Sequence, residues 1–311
     1  MKKSEILFLY EAAYNIPNGD PFTGEQRYDE ETKKILVSDV RMKRYVRTYL
    51  EEIKNLPIYV SEKTGVGKTD SKGVLKWIAE NRNPEKITSI SELLKTQIDV
   101  RLFGGISTLG DTAKEIKVDK TPMTNGHTQF TGAVQFALLN PALNETNLRI
   151  HQNTTHFTSN AENKQGSIAT TTLVPYSLIQ IHGWFNPKVA EKVGTTEDDI
   201  KLMYEGLWYG TSGDGSSHSR SKVGQNSILL LEIVYSENNK KVYGVDRLIK
   251  LTPKNDKKGE QLRSMEDYDL DFSNLIKEAS TDKILSVNFY TEIDEIKKKF
   301  QGNDKFKAML L

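Results

Sequence analysis

Residues 5–14, EILFLYEAAY, are apolar and aromatic with little alternation, which reads as a β-strand covered on both faces. The stretch that follows, NIPNGDPFTG (15–24), is dense in Asn, Pro, Gly and Asp and reads as a loop. Ser38 or Asp39 then caps a helix running to about residue 54. Met42, Val46, Tyr49, Leu50 and Ile53 form one apolar stripe along it. TQFTGAVQFALL (128–139) and VPYSLIQIHGWF (174–185) read as two further strands. The polar, threonine-rich 140–173 between them is too long for an ordinary strand connection, so it is functional or disordered. Thr196 opens a second helix, with an acidic residue three places on. Ile200, Met203, Tyr204 and Leu207 are its stripe, and SILLLEIVY (227–235) is the next strand.

Up to residue 236 the order is strand, helix, insertion, strand, excursion, strand, helix, strand. That is the split βαββαβ pattern of an α+β, RNA-recognition-motif (ferredoxin-like) sheet carrying two insertions. Such a sheet leaves one face free of helices, a platform for single-stranded nucleic acid. The first insertion, 55–125, reads as helical. The tail from 237 adds a strand-like VYGVDRLIKLT, a helix near 272–280, a strand ILSVNFYT and a basic helix IDEIKKKF.

Composition narrows the chemistry. The chain has 311 residues and no cysteine, which excludes disulfide scaffolds, zinc knuckles and thiol nucleophiles and fits a reducing compartment. Lys+Arg is 43 against Asp+Glu 42, so there is no general basic coat for nucleic acid, although a local stripe remains open. The longest late apolar run, ILLL (228–231), is broken by Glu232 and falls far short of a membrane span. The expectation is a soluble cytoplasmic protein that needs no cofactor or metal.

Several strings can be set aside. GVGKT (65–69) resembles a phosphate loop, but Glu62 stands where the motif needs its first Gly. The five histidines, His127, His151, His156, His182 and His218, show no metal-ligand spacing. Asp214, His218 and Ser219 crowd one glycine–serine loop too closely to act as a hydrolytic triad. The acidic run from Glu266 to Asp271 lacks the Gly and terminal Glu of a calcium loop.

Two basic clusters survive. Arg41, Lys43, Arg44 and Arg47 lie on the opening turns of the first helix, where cations oppose the macrodipole unless an anion is near. They invite a phosphate, and a solvated face accounts for them equally well. The second is GTSGDGSSHSRSKVGQ (210–225), where Arg220 and Lys222 sit among small residues that let a backbone approach a ligand.

NGDP (18–21), LVSDVRMKRYVR (36–47), DVRLFGG (99–105), GAVQF (132–136) and SRSKVGQ (219–225) occur together in one order and spacing. In these strings the chain resembles, essentially end to end, the backbone subunit of type I CRISPR surveillance complexes (Cascade), most closely the type I-B branch. The resemblance implies a hand-shaped protein. Its palm would be 1–54, 126–139 and 174–236, its helical fingers 55–125 and its thumb 140–173, with 237–311 a strand–helix extension packed on the palm. It implies a non-catalytic scaffold in antiviral defence that polymerises head-to-tail as a helical filament along a CRISPR RNA. Its partners would be that RNA, further copies of itself, other Cascade subunits, and target DNA reached through guide pairing. Carried over by motif, the RNA contacts are Ser38, Arg41, Lys43, Arg44 and Arg47 in the palm, Gly104 and Gly105, then Arg220, Lys222 and Gln225, with Arg149, His156 and Phe157 in the thumb.

The rival reading is an enzyme. Related backbone subunits of type III complexes cut target RNA with an aspartate and a divalent metal, for which Asp20 or Asp39 would be nominated. A generic single-domain RNA-binding protein is third and leaves the two insertions without a purpose.

Overall fold

The computed structural model describes residues 1–61, 70–154, 168–212 and 223–311. One seven-stranded sheet organises them, built from β1 (Ser4–Asn15), β2 (Val134–Phe136), β3 (Arg149–Thr154), β4 (Ile168–Phe185), β5 (Gln225–Tyr235), β6 (Ile284–Tyr290) and β7 (Phe306–Ala308). Across it the order is β3-β4-β1-β5-β6-β7, and β2 pairs with the far end of β4. All pairs are antiparallel except β6 with β7. The helices are α1 (Asp39–Glu52), α2 (Ser71–Asn81), α3 (Ile90–Lys95), α4 (Ile98–Phe103), α5 (Pro187–Val193), α6 (Glu197–Thr211), α7 (Ser273–Ala279) and α8 (Asp294–Phe300).

The near-continuous apolar run of β1 is explained by what lies on each side. Ile6, Phe8, Tyr10 and Ala12 face α1 and α6, against Met42, Tyr45, Val46, Met203 and Leu207. Leu7 and Leu9 face the opposite way, where Val245, Leu248, Leu262, Tyr268, Leu270 and Leu275 cover them. The helix-free platform expected of the sheet is therefore closed by residues 242–279. At roughly 1.5–3 kcal/mol for each large apolar side chain taken fully out of water, burial on both faces anchors β1 firmly in the sheet.

Helix α1 starts as expected, with Ser38 accepting the Arg41 N–H at 3.4 Å. Its buried stripe is Met42, Tyr45, Val46, Tyr49 and Leu50; Ile53 lies beyond the last turn and is exposed. Two glycines let α6 approach closely, since a Cβ on Gly210 would stand 2.7 Å from Tyr45 O and one on Gly206 3.1 Å from Val46 Cα. Thr196 and Asp199 form the capping box that starts α6. Helix α5, capped by Asn186 and closed by left-handed Gly194, was not foreseen.

The stretch expected as one strand over 128–139 is two. His127–Thr131 pairs with Gly104–Thr108 inside the first insertion, and β2 joins the main sheet. The break falls at Gly132, where a Cβ would lie 2.3 Å from Gly104 N. The insertion is thus helical with added hairpins, around its own core of Leu75, Ile78, Leu93, Leu94, Val100 and Met123. Most described residues of 140–173 also have fixed places. Leu139–Pro141 pairs with Lys34–Ser38, Asn144 Oδ1 accepts the Leu178 N–H at 2.8 Å, and Tyr28 OH donates to Thr146 O at 2.8 Å. Residues 149–154 and 168–173 extend the sheet as β3 and the start of β4. In the tail, 242–252 is a 3-10 turn at Val245–Arg247 and then Lys250–Pro253, which pairs with Tyr268–Asp271.

Candidate nucleic-acid interface

The separated motifs meet around the first turns of α1. Ser38 N–H donates to Asn18 Oδ1 at 2.7 Å, which fastens the NGDP loop to the helix start. That loop closes on itself through Asn18 N–H to Gln26 Oε1 at 2.9 Å and Gln26 Nε2 to Arg27 O at 2.9 Å. The Phe22 and Thr23 amides and the Arg27 charge, 3.1 Å away, hold the Asp20 carboxyl below its ordinary range.

Arg41 Nε donates to Pro17 O at 3.0 Å, and its guanidinium lies 4.7 Å from the Tyr45 ring centre. Tyr45 OH is 3.0 Å from Gln225 Oε1 and 3.3 Å from Pro17 O. Burial pushes the nearby Tyr10 hydroxyl well above its ordinary pKa. Gly224, at φ +87°, brings the chain into β5 so closely that a Cβ would meet Ala13 O at 2.6 Å. Loop 15–27, the opening of α1 and residues 223–225 are one assembly.

Arg47 joins this assembly to the insertion. Its Nε donates to Asp99 Oδ2 at 2.9 Å, and its guanidinium stands 5.5 Å from the Phe103 ring centre. Asp99 is fully buried and also accepts the N–H groups of Tyr59 at 2.7 Å and Val60 at 3.1 Å. Three donors satisfy the two oxygens, as a buried carboxylate requires. Gly104, at φ +89°, lies backbone against backbone with Phe130 and Gly132, and a Cβ there would meet Phe130 O at 2.5 Å.

Several of the expected contact residues have partners within the chain. Gln225 is 1% exposed, and its Oε1 lies 3.0 Å from Tyr45 OH. Arg47 is committed to Asp99, with only 13% of its side chain exposed. Ser38 is a helix cap, and Gly104 and Gly105 form the hairpin with Phe130 and Thr131. Lys43 pairs with Asp39 at 2.9 Å. Arg149 is exposed on β3 and has no hydrogen bond or ion pair among the described residues. His156, Phe157, Arg220 and Lys222 lie outside the described residues, as do the loop at 65–69 and the Asp214, His218 and Ser219 group. Asn18, Tyr45 and Asp99 were missed as individual positions, although each stands inside a quoted motif. Among the described residues, no group of three His, Asp or Glu is arranged to hold a metal ion, and no helix is long and apolar enough to cross a membrane.

This mixed α+β architecture is similar over 99% of the chain to chains in two solved assemblies. One is described as a CRISPR RNA-guided surveillance complex, pre-nicking (TM-score 0.51, 12% identity, 96% of that chain covered). The other is described as a CRISPR RNA-guided surveillance complex (TM-score 0.50, 14% identity, 94% covered). In sequence, the chain is 29% identical over 292 residues to a CRISPR-associated protein Cas7 from Haloferax volcanii, covering 89% of this chain and 82% of that protein. The family pattern for CRISPR-associated protein Cas7 matches residues 2–273. The chain belongs to the CRISPR-associated protein Cas7 family.

Proposed function

We propose that this protein is a CRISPR RNA-binding backbone subunit of a type I surveillance complex, of the I-B kind, which lines up along the guide and leaves its bases to pair with target DNA. The observation that carries this reading is the convergence of the family motifs on the start of α1, where Asn18, Ser38, Arg41, Tyr45 and Gln225 lock together. Arg41, Lys43 and Arg44 stand on that assembly, and Arg149 is exposed on β3. With Arg220 and Lys222 they form the phosphate-contacting set. Arg47 holds the insertion against the palm, and Gln225 holds Tyr45. The palm reading rests on the strand order β2-β4-β1-β5 with α1 and α6 on one face, which is the split βαββαβ order. Residues 55–125 are its fingers, and β3 with the start of β4 is the base of its thumb.

In this reading the subunit is a scaffold without a chemical step. Asp20 is engaged by Arg27 and two loop amides, and Asp39 by Lys43, so both carboxylates have structural work at hand. The test is binding of single-stranded RNA across a salt series. Neutralising Arg41, Lys43, Arg44, Arg149, Arg220 or Lys222 weakens binding alike for all sequences and flattens the log–log salt slope by about 0.7 per lost contact. A loss confined to some base sequences counts against phosphate contact. Guide-loaded protein in magnesium or manganese leaves complementary RNA intact; regular cuts lost in Asp20→Ala or Asp39→Ala establish the type III-like enzyme instead.

A further inference from the structure

The face of β4 that looks away from α1 and α6 carries an open cleft. Ile179 and Ile181 point to those helices, so Gln180 and His182 alternate to the other side, towards residues 242–252. A cavity of about 520 Å³ lies there between β4, the strand Lys34–Ser38 with its partner Leu139–Pro141, and the segment from Asp246 to Thr252.

One polar group lining this cleft is unmatched. Gln180 is 6% exposed, and its Nε2 donates to Asp246 O at 2.5 Å. That bond fixes which end of the amide is nitrogen, since turning it over would set oxygen against oxygen. The other end, Oε1, is buried and has no hydrogen-bond partner among the described residues. The polar neighbours are already engaged. Asn140 Nδ2 donates to Val37 O at 3.2 Å and Ala137 O at 2.9 Å, and His182 Nε2 is 2.7 Å from Glu5 Oε2. A buried acceptor left open calls for a donor from outside the chain.

The walls are apolar and the rim is cationic. Leu139 and Leu251 line the sides, and Leu139 is 45% exposed. Lys34 and Lys250 line the cleft too, and neither has an ion pair or side-chain hydrogen bond among the described residues. The carboxylates opposite them in register are held elsewhere. Asp29 is bound by the Thr32 hydroxyl and the Glu31 amide. The Ser273 hydroxyl and amide, ahead of Lys250, keep Asp271 below its ordinary range. Arg247 lies 3.8 Å from Asp246, so that pair adds little net charge. Two unpaired ammonium groups match a dianion, and an apolar slot with one open acceptor matches a planar ring carrying an N–H.

We propose that this cleft binds a free nucleoside monophosphate, its phosphate held by Lys34 and Lys250 and a base N–H donated to Gln180 Oε1. The site lies across the sheet from α1, apart from the phosphate-contacting set at the start of that helix, and does not depend on the guide-binding reading.

Equilibrium dialysis of the full chain with AMP, CMP, GMP and UMP, beside ribose 5-phosphate and inorganic phosphate, tests it. At least one nucleotide binds one per chain, about tenfold or more tighter than ribose 5-phosphate, which lacks the base. Lys34→Ala and Lys250→Ala each weaken the nucleotide about tenfold. Gln180→Met removes its advantage over ribose 5-phosphate. Leu139→Glu, at an exposed position on the wall, abolishes nucleotide binding at the wild-type unfolding midpoint, so a loss of fold in Gln180→Met does not decide the matter. Saturating nucleotide leaves single-stranded RNA bound. No binding at millimolar nucleotide, equal binding of ribose 5-phosphate, or wild-type nucleotide affinity in Leu139→Glu or in the double lysine variant overturns the site. Displacement of RNA by the nucleotide places the ligand in the RNA groove and overturns it as well.

Discussion

Arg47 and Asp99 show how a residue read as a surface cation can be a structural tie. Asp99 gathers Arg47, Tyr59 and Val60 at a point where α1, the chain after it and α4 meet. Removing one member of a buried pair leaves the other charge stranded, so Asp99→Ala should lower unfolding stability by about 3–5 kcal/mol in urea titrations. Replacing both residues with apolar ones of similar volume should cost less than that single change. Glu5 makes a second such case. Burial alone would raise its carboxyl, but hydrogen bonds from His182 at 2.7 Å and Tyr235 at 2.6 Å, helped by the His182 and Lys3 charges, bring it below its ordinary 4.5. A carboxylate depressed by folding adds stability above its unfolded value, and that stability is lost as pH falls through the folded value. Glu5→Gln should therefore be less stable than wild type at pH 7. The gap between their urea midpoints should narrow as pH falls below the ordinary carboxylate range.

Elements with one buried face were legible from sequence, and those whose pairing depends on distant backbone were not. The caps at Ser38 and Thr196 and the stripes of α1 and α6 follow from local spacing, and the structure keeps them within a residue or two. The split at Gly132 was hidden, because TQFTGAVQFALL is continuous in hydropathy. Only the approach of Gly104 from the insertion breaks it. In the site, the five motifs were visible as strings, yet sequence showed charge and not its partners. It therefore could not separate Arg47, which is tied down, from Arg149, which is exposed. The β3–β4 hairpin carries its own prediction. Thr154 stands opposite Ile168, so a short Gly/Ser link can replace 155–167 without disturbing any described strand pair. The shortened protein should keep its unfolding midpoint while losing ordered multimers on long RNA, as measured by sedimentation. A fallen midpoint would show that the segment supports the fold.

For the molecule as a whole, the central sheet carries apolar side chains on both faces, and the two covers come from different parts of the chain. α1 and α6 cover one face, and residues 242–279 cover the other. A chain cut after 236 leaves Leu7, Leu9, Tyr176 and Leu178 open to water. It should bind a hydrophobic dye and aggregate, where full-length protein does neither; a soluble, cooperatively folding 1–236 would mean that the sheet needs only one cover. The same arrangement sets a schedule for birth on the ribosome. Leu7 leaves the exit tunnel early, while Leu270 and Leu275, which shelter it, are made on the order of tens of seconds later. In the proposed assembly, an unfinished chain would have no completed sheet to offer the next copy. Translation that stops short should then give aggregation-prone fragments, and not defective links that cap the row.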